Sequence, residues 1–399
     1  MKGMKMIRIA EPELSGQERI YINDALSNNE LSGHGDQVRE FEKRFAEFVG
    51  ADYALMVPNG TIAVGLALEG AGVRSGGIVI LPSQTISVVA FAVNRLHASV
   101  VVVDVDKGSW TMSPQMLRIA LNDLKARNEI KLVQAIVPTP IFSGVSPDYA
   151  GIYQVLKDFG ISETVVVEDF AEAIGSKYTF DSNTSDPVWK TAGSIGHISC
   201  TSFYANKTIT TGEGGMVLTS DKDAYDEMKS IRNCAFREDF KDRFRAASLG
   251  FNYRPHNLVA AFGLGQMDFI DVRQVRKMAM HDFYRNNLSN KFTMQKYNKD
   301  TQLPVPWMMA ILVPHDKTAQ EFMSYMQDNN IETRPLFPPL ESLPYFNTYS
   351  YPSYLKGSYT DGTSQALYQR GVLLPSGGDK LGKEALKYVA NTANKFVGE

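Results

Sequence analysis

Cysteine is almost missing from this sequence: Cys200 and Cys234 are the only two in 399 residues. That rules out a disulfide framework and leads us to expect a reducing compartment. Strong charge of either sign is missing too. Lys and Arg total 41 against 44 Asp and Glu, a net charge of -3, so no basic field draws nucleic acid or an anionic membrane. No apolar run approaches the roughly 20 residues that span a bilayer; "ASVVVVDV" is only strand-length. The opening "MKGMKMIRIAEPELSG" is positive but has no apolar stretch behind it, so we expect no secretory leader. The histidines (His34, His97, His197, His256, His281 and His315) form no HxH or HExxH and the cysteines no CxxC, so no metal is expected. These shortages predict a cytoplasmic protein with neither nucleic-acid nor membrane partner.

What the chain has in quantity is short, Val- and Ile-rich runs set between helix-like segments. They are Tyr53–Val57, Ile78–Leu81, Ser99–Val105, Lys131–Val137, Thr164–Asp169, Cys200–Tyr204 and Gly215–Ser220. Near-continuous apolar runs suit strands buried on both faces, and their alternation with helices suits a parallel sheet. The expected class is α/β: a seven-stranded, mostly parallel sheet with ligands beyond the carboxyl ends of its strands. After Gly265 the texture changes. "DVRQVRKMAMHDFYRNNL" reads as a long amphipathic helix, and Ala319, Phe322, Met323 and Met326 form a core stripe at helical spacing. "RPLFPPLESLPYF" reads as a proline-rich loop and "VLLPSGG" as a strand with a turn, while the polar stretch Phe180–Thr191 reads as a hairpin or loop. Two domains are expected: a large one over 1–265, including an N-terminal arm, and a smaller α+β one over 266–399.

Three groups could carry chemistry. Lys207, in "NKTITTGEGG", follows a predicted strand and precedes glycines that let the backbone turn tightly beside a ligand. A lysine so placed is a candidate Schiff-base nucleophile; a surface lysine beside a turn is the plainer reading. Asp169 ends the apolar run "TVVVED", where a buried charge needs a partner. It could hold a pyridinium nitrogen protonated, or simply cap a helix. Asn59, Gly60 and Thr61 precede a helix-like run, either as a phosphate cradle or as an ordinary cap, and Ser202 could add a hydroxyl. An amine, a pyridinium partner and a phosphate cradle, all at strand ends, have one economical explanation: pyridoxal 5'-phosphate.

The blocks "VEDFAEAIGSKY", "TSFYANKTITTGEGGMVLTSD", "GFNYRPHNLVAAFGLGQMDFID", "IETRPLFPP" and "RGVLLPSG" occur in order and resemble the DegT/DnrJ/StrS sugar aminotransferases, nearest the branch that makes GDP-perosamine. The resemblance implies a fold-type-I PLP-dependent transferase. It implies that Lys207 forms the Schiff base with the cofactor and that Asp169 pairs with the ring nitrogen. Glu172 would bond the 3-hydroxyl, Gly60, Thr61 and Ser202 the phosphate, and Ile86 would lie against the ring. Asn252 would reach the phosphate from the other subunit, giving a homodimer with shared active sites. The implied reaction moves an amino group from L-glutamate to a nucleotide-linked 4-keto-6-deoxy sugar for surface-glycan synthesis.

The sequence departs from the family pattern in places. Ile86 stands where an aromatic is usual, and Pro140, Phe142 and Ser143 replace His, Tyr and Gly. Phe170 takes a site that is commonly small, and His197 one that is frequently Asp. All are expected at the cofactor face or on the strand beside it. A dTDP- or UDP-linked ketosugar substrate is an alternative, as is an idle paralogue that keeps the fold for binding. The related 3-dehydratases carry a histidine in place of the lysine, which Lys207 argues against. Arg254 and Arg334 could each hold a substrate phosphate or carboxylate, or form ordinary ion pairs. His34 reads as solvent-exposed.

Overall fold

Eight strands form one twisted sheet in the computed structural model, which describes residues 5–399 apart from 183, 185, 238, 247, 349–353 and 378–380. In spatial order they are Tyr53–Val57, Gly215–Thr219, Ile198–Ser202, Val165–Asp169, Val133–Ile136, Ile78–Pro82, Ser99–Val103 and Leu355–Tyr359. Only Gly215–Thr219 runs against the rest. Seven of these match the predicted runs to within a few residues. One is displaced: the strand expected over Cys200–Tyr204 is Ile198–Ser202. The eighth, Leu355–Tyr359, was not expected, because "LKGSY" alternates weakly and carries a central glycine. It pairs in parallel with Ser99–Val103 and closes that edge of the sheet.

Alternation explains why the strands are apolar throughout. Val79, Leu81, Val100 and Val102 pack under helices Gly60–Gly70 and Val88–Arg95. Their neighbours Ile78, Ile80, Val101 and Val103 pack under helices Pro114–Ala126 and Tyr149–Asp158 on the opposite face. The helices begin where their sequences supply caps: Asn59 accepts from the Ile62 N–H, Ser113 from Met116 and Asp148 from Gly151.

The C-terminal part builds its own antiparallel sheet from Thr293–Met294, Met309–Leu312, Gly371–Leu374 and Arg334–Pro335. Helices Ile270–Asn287, Ala319–Asp328 and Lys383–Phe396 cover it. The expected stripe lies in this core: Ala319, Phe322 and Met326 are buried and Met323 packs against them. The proline-rich segment is less irregular than expected, holding the strand Arg334–Pro335, a 3-10 turn at Leu340–Ser342 and a short helix at Pro344–Thr348. Lys177–Tyr178 and Lys190–Thr191 pair antiparallel, so Phe180–Thr191 lies in a hairpin. Its Asn183 and Ser185, Gly378 of the C-terminal turn and the first four residues lie outside the described residues.

Candidate active site

Strand Val165–Asp169 ends in two buried carboxylates that face opposite sides of the sheet. Glu168 points away from the site and is satisfied by the Tyr149 hydroxyl at 3.0 Å and the N–H groups of Ile195 and Gly196. Asp169 points into a cavity of about 330 Å³ at the carboxyl ends of the parallel strands. It caps no helix: residues 170–176 are turns and coil, and its Oδ1 accepts from the Ala171 N–H at 3.2 Å. Burial raises the Asp169 carboxyl above the ordinary carboxylate value, opposed by the Ala171 bond and by the charge of Lys207.

Lys207 reaches the same cavity from a loop that folds back on the strand before it. Phe203 O accepts from the Thr211 N–H and from Thr210 Oγ1, and Phe203 N–H donates to Gly214 O, pinning both ends of the loop. The Lys207 side chain is nearly buried and its Nζ lies 3.5 Å from Glu172 Oε1. The Trp307 ring centroid is 4.1 Å from that nitrogen. Burial also raises the Glu172 carboxyl, with the Lys207 charge pulling it back, and Glu172 Oε2 accepts from the Phe142 N–H at 2.9 Å.

The end of the cavity near Gly60 is set by close backbone approach. A Cβ on Gly60 would stand 2.7 Å from Ser202 Cβ, and one on Gly215 would stand 2.5 Å from the Asn59 carbonyl oxygen. Glycine at both positions lets a helix start, a strand end and a strand start converge. Asn59 caps the helix, as the plainer reading of this tripeptide expects, and Asn59, Gly60 and Thr61 all line the cavity.

Gly60, Thr61, Ile86, Asp169, Glu172, Ser202 and Lys207 therefore line one cavity. Asn252 does not. It is exposed, and its Oδ1 accepts from Arg254 Nε at 2.9 Å. Exposed His34 lies beside that arginine, with Nε2 2.8 Å from Arg254 Nη1. Arg334 lines the cavity and Arg254 does not. A second cavity, about 500 Å³, shares Asn206 and Lys207 but contains none of the other predicted cofactor residues.

Of the departures, Ile86 faces the cavity, 38% exposed. Phe170 and His197, expected at the cofactor face or on the strand beside it, lie off the cavity at the ends of strands Val165–Asp169 and Ile198–Ser202. Phe170 is buried behind the sheet with Phe45 and Phe203, because the next residue of a strand points to the opposite side. His197 sits at the far end of strand Ile198–Ser202, its Nδ1 accepting from the Val166 N–H. Sequence reasoning assigned no role to Trp307, Phe337 and Leu373, which reach the cavity from the C-terminal part; Phe337 and Leu373 lie within the blocks that carry the resemblance, whereas Trp307 lies in none.

The residues present fit pyridoxal phosphate. Asp169 is buried with a single hydrogen bond, and Thr201 Oγ1 and Asn206 Oδ1 on the cavity wall are buried without a partner. Among the described residues no cluster of three or more metal-ligating side chains occurs, and no helix is long and apolar enough to cross a membrane.

Known proteins resemble the chain throughout. The model of the DegT/DnrJ/EryC1/StrS aminotransferase family matches residues 12–394. A GDP-perosamine synthase of Escherichia coli O157:H7 is 33% identical, covering 99% of this chain and 100% of its own. One from Vibrio cholerae is 28% identical over 93% and 94%. Among solved structures, a putative sugar aminotransferase from Streptococcus pneumoniae in its PLP form superposes with a TM-score of 0.84 over 98% of both chains at 20% identity.

Proposed function

Because the chain belongs to the DegT/DnrJ/EryC1/StrS aminotransferase family, we propose that it transfers an amino group from L-glutamate to a GDP-linked 4-keto-6-deoxy sugar, forming GDP-perosamine. It is a sugar aminotransferase and its cofactor is pyridoxal phosphate. The observation that carries the reading is the convergence of Lys207, Asp169, Glu172, Gly60, Thr61 and Ser202 on one cavity at the strand ends.

When bound, pyridoxal phosphate supplies an electron sink for the bond-breaking at the carbon that carries nitrogen. Asp169, buried and short of partners, holds the proton on the ring nitrogen. Glu172 takes the hydrogen bond of the ring hydroxyl and stays within reach of Lys207 Nζ, 3.5 Å away. The N–H groups of Gly60 and Thr61 and the Ser202 hydroxyl hold the phosphate. Lys207 Nζ moves the proton at the substrate carbon, working as a general base and acid. Ile86, Phe337 and Leu373 wall the cavity and exclude water. Arg334 binds an anionic group of the substrate at its open side.

The division into 1–265 and 266–399 and the homodimer belong to this proposal. Support for the boundary comes from helices Asn257–Met267, which packs in the large core, and Ile270–Asn287, which packs in the small one. Leu355–Tyr359 crosses back to the large sheet. Exposed Val272, Val275 and Met278 along one helix, and an exposed Asn252 that does not line the cavity, support a partner subunit that shares its active site. The site of action proposed is the cytoplasm, with the product feeding surface-glycan synthesis.

The test is a panel of GDP-, dTDP- and UDP-4-ketosugars offered with glutamate and read by product mass. Amination of the GDP sugar is expected. Exclusive use of another nucleotide would move the substrate assignment, and no amination by cofactor-loaded protein would remove it.

A further inference from the structure

Trp307 lies in the C-terminal part, far in sequence from Lys207, yet its ring centroid is 4.1 Å from Lys207 Nζ. It is held there at every polar atom it has. Its indole N–H donates to the Asn206 carbonyl at 2.9 Å, so it grips the residue before Lys207. Its backbone N–H and that of Met308 both donate to the Phe142 carbonyl at 3.0 Å. Its own carbonyl accepts from Lys277 Nζ at 2.7 Å.

The circuit then closes on the lysine. Phe142 donates its N–H to Glu172 Oε2, and Glu172 Oε1 lies 3.5 Å from Lys207 Nζ. Phe142 turns its N–H and C=O to these two tasks by adopting φ +56°, a left-handed conformation costly for an aromatic residue. A strained residue, an acid, an indole and two backbone carbonyls thus fix one amine. An indole face attracts a cation more strongly than other aromatic rings do, and most where water is displaced. Trp307 is 5% exposed.

We propose that Trp307 is the positioning residue of the active-site lysine: its indole face holds the Lys207 ammonium while its N–H fixes the loop that carries it. The C-terminal part thereby positions an amine that belongs to the large sheet. The inference uses the proposed function only to say why Lys207 matters.

The experiment measures how fast an amine-reactive acylating reagent modifies Lys207 in cofactor-free protein, read by peptide mass. The reagent attacks neutral amine, so holding the ammonium slows it. Trp307→Phe keeps a ring face, whereas Trp307→Met has similar bulk without one. Labelling is expected to be slowest in the parent, intermediate in the Phe variant and up to about 10-fold faster than the parent in the Met variant. Equal rates for Phe and Met would overturn the proposal, since volume or access alone would then explain the change. Should the Met variant fail to fold, the unmutated chain grown with fluorinated tryptophan decides. Fluorine drains charge from the ring face with little change of shape; faster labelling supports the proposal and an unchanged rate overturns it. Because no cofactor is present, failure here leaves the aminotransferase reading standing, and the sugar panel can fail without touching this result.

Discussion

Glu168 and Asp169 are neighbours on one strand and do opposite work: the first is fully hydrogen-bonded behind the sheet, and the second faces the cavity with one bond. The sequence marked Asp169 as a buried acid in need of a partner, but only strand alternation says that its neighbour Glu168 is the one with its partners within the protein. Replacing Asp169 by Asn should weaken cofactor binding by about 2–5 kcal/mol, the cost of truncating one side of a buried charge pair. An absorbance titration checks this, and unchanged affinity would contradict it. Lys277 offers a pH signature. Burial first, and then the charge of Lys207, lowers its amine from 10.5 to about 7. Between those values the unfolded chain holds a proton that the folded chain has released, so this group's contribution to stability is least below pH 7 and rises with pH above it. Lys277→Met should therefore lose ground to the parent in melting temperature between about pH 7 and about pH 9. Curves that stay parallel across that window would contradict the assignment.

At the scale of elements, the buried strands were legible because Val- and Ile-rich runs have few other uses. The edge strand Leu355–Tyr359 was not, since an edge needs neither continuous apolarity nor the absence of glycine. Lys207's loop was legible as a glycine-rich turn, but its folding back on Phe203 depends on threonine hydroxyls and tertiary pairing that a sequence does not display. The helix start at Gly60 carries a clear test. Gly60→Val would drive side-chain atoms into Ser202 and should cost about 1–3 kcal/mol of stability, together with phosphate binding. Chemical denaturation and cofactor titration would measure the two losses, and a variant equal to the parent in both would count against the close approach. Far from the site, the capping box of Thr318 and Glu321 starts helix Ala319–Asp328. Thr318→Ala should cost about 1 kcal/mol without altering turnover, a control that separates stability from function.

Across the whole molecule, the cavity joins two parts of the chain that the sequence reading kept apart. The motif residues come from the large sheet and were found by resemblance and position. Arg334, Phe337 and Leu373 come from C-terminal blocks that the sequence marked, only Arg334 with a candidate role, and Trp307 becomes visible only when the two parts pack together. Asn252 marks the remaining distance, because it does not line this cavity. If the sites are shared, mixing an inactive Lys207→Ala protein with an inactive Asn252→Ala protein under exchanging conditions should restore part of the activity. One site of each hybrid dimer would then be intact. Mixtures that exchange subunits yet stay inactive would contradict shared sites.

The most direct test of the central claim is borohydride reduction of the protein loaded with pyridoxal phosphate, followed by peptide mapping. The account predicts one phosphopyridoxyl group, on Lys207, and none after Lys207→Ala. A group attached to another lysine, or one that persists in the variant, would contradict it.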